Sequence, residues 1–468
     1  MRIGGQLREG ASVEVIRSPW NGEAAGEVAV GGPGDMDAAI EAAEQAFSTT
    51  RDLPSHRRAA VLEGTACRLR EHADELATLM ARESGKPIRY CRAEVARAVV
   101  TFTLGAEESR RLGGEVMPID LEPRAEGMLC MYQRVPRGPV AAIAPFNFPL
   151  NLVAHKLSPA TAAGCSVVLK PPPQCPLTAY RLAELMDEAG LPPGALNVLH
   201  CPPGVAQRMV EDPRMKLVSF TGSDAVGWRL KAIAGKKPVL LELGGNAPCI
   251  LDEGIDVGAI LDRLVQAAFA SAGQVCIKVQ RFIVHRAIYD QFLERFTDAA
   301  RLLTHGDPLD EKTVVGPLID RSHVARVLSW VREAVLAGAR LHCGGEADGP
   351  VVLPTVLSEV PPGERVVCDE VFGPVAVVER AETFDAALVA ANRTRFGLQA
   401  GVFTRDVDRA LRAFRRLDYG GVMVNEVPTF RVDNFPYGGS KDSGLGREGV
   451  RFAVEEMTEP RVLVLRGS

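Results

Sequence analysis

From Gly138 onward the chain alternates short apolar runs with helix-patterned stretches, and that alternation constrains the fold more than any single motif. "GPVAAIAP" leads to a helical stretch near 150–163, then "SVVLK", a helix near 178–189, "ALNVLH", "MKLVSFTGS" and "VLLELGG". A short apolar strand followed by an amphipathic crossover is a βαβ unit, and successive units build a parallel sheet. A second block starts near Pro248. It has a short strand at Pro248–Asp252 and a helix from about 256 to 271 with Ile260, Leu264 and Phe269 roughly in line. "RFIVHR", "AIYDQFLERFTDAARLL", a helix near 322–338, "PVAVVER" and "GGVMVNE" follow. The expected fold class is α/β, in two blocks.

The flanks read differently. Residues 35 to about 112 are helix-patterned. "DMDAAIEAAEQAF" puts Ile40, Ala43 and Phe47 on one face, with Asp35 or Asp37 as cap. "RRAAVLEGTACRLREHADELATLMARES" reads as one longer amphipathic run that ends before Gly85 and Pro87. "RVLVLR" after Pro460, and part of Glu115–Gln133, read as strands outside both blocks, a small sheet suited to pairing across a subunit interface.

Composition excludes several classes. The net charge of −5 comes from interleaved acids and bases, with no basic stripe for nucleic acid. The longest uncharged run, Gly138–Ala154, is interrupted by Pro145, Asn147 and Pro149 and is too short for a membrane span. The first residues, "MRIGGQLREG", lack the apolar core of a signal peptide. Ten scattered cysteines form no C-x-x-C pair and no zinc spacing. The expectation is therefore no metal, reduced thiols and a cytoplasmic setting.

Among those thiols, Cys276 in "GQVCIKVQR" lies between a helix and a strand, after Gly273. It reads either as a buried structural cysteine or as a nucleophile that nearby backbone N–H groups would activate. Glu242 in "LLELGGN" is a carboxylate inside an apolar strand. It is either a strand-end ion pair or a general base whose pKa burial raises. Asn147 in "APFNFPLN" sits in a rigid loop as an oxyanion donor or a turn-former. Gly222-Ser223 opens a helix after a strand, where free N–H groups bind anions, although G-x-G-x-x-G is absent. Lys170 ends the strand "SVVLK", at the sheet edge where ligands of open α/β folds bind.

Taken in order, "PFNFP" (145–149), "VVLKP" (167–171), "FTGSDAVG" (220–227), "LELGGN" (241–246), "GQVC" (273–276), "EVFGPV" (370–375) and "PYGGSKDSGLGRE" (436–448) resemble the aldehyde dehydrogenase superfamily. The resemblance implies a doubly wound cofactor-binding domain (1–114 and 137–246) and a second α/β catalytic domain (247–435). It also implies a small β oligomerisation arm with a C-terminal segment (115–136 and 436–468), in a homodimer or homotetramer. It implies NAD or NADP as cofactor, Cys276 as nucleophile, Asn147 as oxyanion donor and Glu242 as the base that activates water. Lys170, Phe146, Gly222, Ser223, Glu370 and Phe372 match cofactor contacts. The reaction implied is oxidation of an aldehyde to the acid through a thiohemiacetal and a thioester.

Departures from the family pattern bear on specificity. Pro173 stands where many NAD-preferring members carry Glu, so NADP is not expected to be strongly excluded. Val275 stands where some members acting on phosphorylated aldehydes carry Arg. Arg97, His155 and Arg431 match positions near the substrate tunnel. Each also reads as an ordinary salt bridge, packed helix residue or loop charge. If they converge, the aldehyde is small and anionic. Two alternatives stand beside this reading: a CoA-acylating relative, against which Glu242 argues, and a non-catalytic descendant of the fold.

Overall fold

The computed structural model describes residues 1–466. Two large sheets carry the chain. The first has the order Gln6–Leu7, Arg2–Ile3, Leu196–Val198, Val167–Lys170, Val140–Ile143, Leu217–Thr221, Val239–Glu242, Gly444–Leu445. Its central strands are parallel and buried along nearly their whole length, as strands covered by helices on both faces must be. From Val140–Ile143 the chain winds outward through Val167–Lys170 to Leu196–Val198. It then returns to the other side of Val140–Ile143 with Leu217–Thr221. The direction of winding therefore reverses between Val140–Ile143 and Leu217–Thr221, which opens a crevice at the carboxyl ends of these strands. The loops leaving those two ends are the ones that carry Asn147 and Ser223.

The second sheet has the order Arg340–Cys343, Thr355–Ser358, Val375–Ala381, Val279–His285, Ala247–Leu251, Gln399–Phe403, Gly421–Val424, parallel except at its first pair. Phe282, Phe292 and Phe296 pack under it with ring centroids 4.7–5.3 Å apart. A third, antiparallel sheet sets Met128–Pro136 between Gly114–Met117 and Thr458–Arg466. Val116, Leu129 and Val462 to Leu465 are exposed on it.

Several details depart from the sequence reading. The long run before Gly85 is two helices, Ser55–Glu71 and Ala73–Ser84, with His72 outside helical geometry between them. Apolar spacing continues across the break (Leu62, Leu69, Leu76, Met80 are all buried), so periodicity alone does not reveal it. Neither Asp35 nor Asp37 is the N-cap of the first helix, which begins at Pro33. Asp35 sits one turn in and accepts the Gly32 N–H. A largely exposed hairpin, Ser12–Arg17 with Ala24–Val30, carries too little apolar alternation to have been legible. Within 436–468 the elements separate: Gly444–Leu445 adds to the first sheet, whereas Thr458–Arg466 joins the third. All ten cysteines are free. Among the described residues no helix is long and apolar enough to cross a membrane.

Candidate active site

Cys276 is delivered by an unusual turn. The helix Val257–Phe269 ends, and Ser271, Ala272 and Gly273 follow with φ of 53°, 55° and 65°. Two non-glycine residues in the left-handed region cost about 1–2 kcal/mol each, and such strain concentrates at functional sites. At Gly273 only glycine fits, since a Cβ would lie 2.3 Å from the Gly373 carbonyl oxygen. The turn reverses the chain and places Cys276 where two cavities meet.

The first cavity, about 360 Å³, lies over the crevice of the first sheet. Phe146, Asn147, Gly222, Ser223, Glu242, Cys276, Glu370 and Phe372 all line it. The second, about 500 Å³, also reaches Cys276 and is lined by Arg97, Val275 and Arg431 among others. Cys276, Leu152, Arg431 and Tyr437 belong to both walls. Two expected residues stand apart from the linings. Lys170 is buried at the end of its strand, outside the first cavity's wall. His155 is buried behind Arg431, not in the second cavity's wall.

Burial pushes the Cys276 thiol up to about 12, and its contact with Tyr437 Oη, 3.3 Å from Sγ, works in the opposite direction. The Arg431 guanidinium lies 3.7 Å over the Tyr437 ring. The Cys276 N–H makes no hydrogen bond to another described residue, which leaves it free to meet a developing oxyanion beside Sγ. Glu242 closes its strand, and its Oε2 is buried with no partner. Burial and the nearby Glu448 carboxylate push its pKa well above the ordinary range, while Arg431, Lys156 and Arg447 pull it back. A carboxyl whose pKa is raised in this way is a stronger base when it ionises than an exposed one.

Behind these groups runs a charged cluster. Asp433 accepts from Arg97 Nη2 at 2.6 Å, contacts His155 Nε2 at 2.8 Å and lies 3.8 Å from Arg431 Nε. Burial pushes Asp433 up, but His155 and Arg97 outweigh it and hold the carboxyl well below its usual range. Arg431 also donates to Glu448 at 3.1 Å, and Lys156 lies 3.7 Å from the same carboxylate. Burial pushes His155 below its ordinary value and Arg431 adds to that, against the opposite pull of Asp433 and Glu448. Arg97 and Arg431 thus share Asp433, and Arg431 also pairs with Glu448, beside which lies Lys156, a buried amine whose pKa burial lowers.

Replacing Glu448 with Gln removes a negative neighbour from Glu242 and frees Arg431 and Lys156 to favour its charged form. All three effects lower the Glu242 pKa. With Glu242 as the base of the reaction proposed below, the acid limb of the pH–rate profile is expected to move to lower pH. A limb that stays in place or moves up contradicts this.

Sequence reasoning passed over Tyr437, Lys156, Asp433 and Glu448. Lys156 left a signal, a lone charge in the fully buried helix Asn151–Ala163. Tyr437 and Glu448 lie in "PYGGSKDSGLGRE" (436–448) without standing out within it, and Asp433 left no signal, because a single acid in a loop looks like an ordinary surface residue until the fold buries it.

Comparison with known proteins agrees with this architecture. The model of the Aldehyde dehydrogenase family matches residues 8–463, so the chain belongs to that family. The chain is 40% identical to 3-sulfolactaldehyde dehydrogenase of Priestia megaterium over 464 residues, 99% of this chain and 97% of the relative. It superposes with a TM-score of 0.97 on aldehyde dehydrogenase 21 of Physcomitrella patens in complex with the reaction product succinate, at 41% identity, covering 99% of this chain and 97% of the other. Glyceraldehyde-3-phosphate dehydrogenase GapN of Methanocaldococcus jannaschii, complexed with NADP, superposes at 0.93 with 36% identity, covering 97% and 99%. The chain is an NAD(P)-dependent enzyme that oxidises aldehydes.

The first cavity fits that cofactor. The helix Asp224–Ile233 opens onto it with first-turn N–H groups, and the side chain of its N-cap, Ser223, makes no cap bond. Glu370 presents an acceptor there, held by the Gly245 N–H at 3.0 Å. It approaches so closely that a Cβ at Gly244 would lie 2.4 Å from Glu370 Oε2.

Proposed function

We propose that the enzyme oxidises a small aldehyde bearing a carboxylate or sulfonate, with Cys276 as nucleophile, Asn147 and the Cys276 N–H as oxyanion donors, and Glu242 as base. The observation that carries the substrate class is the second cavity. Its wall joins two guanidinium groups, those of Arg97 and Arg431, to Cys276. Guanidinium groups pair with planar or tetrahedral oxyanions through two parallel hydrogen bonds. Val275 adds an apolar surface next to the nucleophile.

The Cys276 thiol gives up its proton to solvent as Sγ adds to the aldehyde carbon, and the oxygen, now negative, is held by the Asn147 amide and the Cys276 N–H. When bound, the nicotinamide cofactor supplies the hydride acceptor that turns the thiohemiacetal into a thioester. Glu242, ionised, takes a proton from water as that water attacks the thioester carbonyl. The acid leaves and the thiolate is restored. Phe146, Gly222, Ser223, Glu370 and Phe372 are assigned to hold the cofactor, and Lys170 to its outer end.

A panel of short aldehydes, neutral and anionic, read by absorbance of reduced cofactor, tests the substrate class. The anionic members are expected to show kcat/KM at least about tenfold higher, equivalent to roughly 1.4 kcal/mol. Equal values across the panel would sink the proposal. Pro173 is exposed beyond Lys170 and offers no carboxylate to repel a 2′-phosphate. NADP is therefore expected within about a thousandfold of NAD in kcat/KM, roughly 4 kcal/mol, and a larger NAD preference contradicts this. The exposed apolar strand Thr458–Arg466 supports a homo-oligomer, dimer or tetramer, and ten unpaired thiols support a cytoplasmic setting.

A further inference from the structure

The loop that carries Asn147 is held by a buried ion pair that lies on another part of the fold. Lys86 follows the helix Ala73–Ser84, and Glu94 lies in the helix Ile88–Arg111. Their side chains are 5% and 0% exposed, and Lys86 Nζ donates to Glu94 Oε2 at 2.6 Å. Neither is left with a lone partner. Glu94 Oε1 accepts the N–H groups of Leu150 and Asn151, both at 2.9 Å, at the start of the helix Asn151–Ala163. Lys86 Nζ donates to the Asn147 carbonyl oxygen at 3.2 Å and lies 3.5 Å over the Phe148 ring. A buried pair of charges is a weak source of stability, because desolvation offsets most of the attraction. Here its hydrogen bonds are spent on both ends of one five-residue stretch, 147–151, whose first residue lines the first cavity together with Cys276.

We propose that Lys86 and Glu94 are positioning residues that act through Asn147. They fix the peptide that follows it, so that its side-chain amide is aimed at the oxyanion rather than at the ground-state carbonyl. The inference rests on the assignment of Asn147 as oxyanion donor. A donor displaced by about 1 Å loses on the order of a hundredfold in rate, so holding its backbone from both sides matters more than the hydrogen bonds themselves.

The test is a double-mutant cycle between Glu94→Gln and Asn147→Ala, read as kcat for aldehyde oxidation. Alkylation of Cys276 by iodoacetamide, a displacement that forms no oxyanion, is measured in parallel. Glu94→Gln alone is expected to lower kcat by about tenfold to a hundredfold, with KM changed less than threefold or so and the alkylation rate retained. In the Asn147→Ala background the same change is expected to cost less than about threefold. Full additivity, or a parallel fall in alkylation, overturns the positioning role while leaving Asn147 in place. If Asn147→Ala alone leaves kcat intact, both the assignment of Asn147 and the inference built on it are overturned. Lys86→Met, which keeps an apolar stem against Phe148, runs through the same cycle and gives the same reading should Glu94→Gln fail to fold.

Discussion

Glu242→Gln is expected to form one equivalent of reduced cofactor per chain in a rapid burst and then turn over about a thousandfold more slowly than the parent enzyme. The reasoning starts from the strand. Glu242 is the last residue of Val239–Glu242, and its carboxyl is fully buried with Oε2 unpartnered. Glutamine fills the same volume and carries no charge to desolvate, so the fold has little to lose. What is lost is a carboxyl that shares this wall with Cys276 and can accept a proton from water once ionised, whereas Glu370, on the same wall, is held by the Gly245 N–H. Glu448 lines the same cavity but is held ionised and occupied by Lys156 and Arg431. With the Cys276 thiol proton passing to solvent in the first cavity, addition to the aldehyde does not need that base, so acylation proceeds and hydrolysis stops. Loss of the burst together with the steady rate would place Glu242 in the first half of the reaction instead.

Arg97→Ala is expected to raise KM for an anionic aldehyde by about a hundredfold, with neutral aldehydes of the same length affected less than about threefold. Two effects add. The guanidinium is partly exposed into the second cavity and supplies a charge-assisted contact worth roughly 1.5–3 kcal/mol. Its removal also strips Asp433 of its shortest cationic partner, so a buried carboxylate faces the incoming anion less compensated. Arg431 is a poorer probe, since it also stacks on Tyr437 and binds Glu448, and its loss would disturb Cys276 and Glu242 as well. An unchanged KM for the anionic aldehyde removes Arg97 from the pocket.

The main outline of the fold was legible because apolar runs and crossover helices leave a period in the sequence. Cys276, Glu242 and Asn147 were legible for a related reason: each is a polar group in an otherwise apolar or rigid context, and the motifs around them stand in a recognisable order. The substrate wall was only half legible. Arg97 and Arg431 lie 334 positions apart in the chain and are brought together by Asp433, an acid that looks unremarkable in "RVDNFPYGG". His155 was expected to line the tunnel, yet it supports Arg431 from behind, because its helix Asn151–Ala163 is buried on every face. The left-handed turn at Ser271 and Ala272 had no sequence signal at all, since neither residue type favours that conformation.

The central claim is that Cys276 carries the acyl group. Mixing the Glu242→Gln enzyme with aldehyde and oxidised cofactor, quenching in acid and mapping peptides by mass spectrometry tests it directly. The predicted result is one acyl group per chain, with the mass of the aldehyde less two hydrogens, on the peptide containing Cys276. Reduced cofactor formed without that adduct, or the adduct on any of the other nine cysteines, would contradict the account.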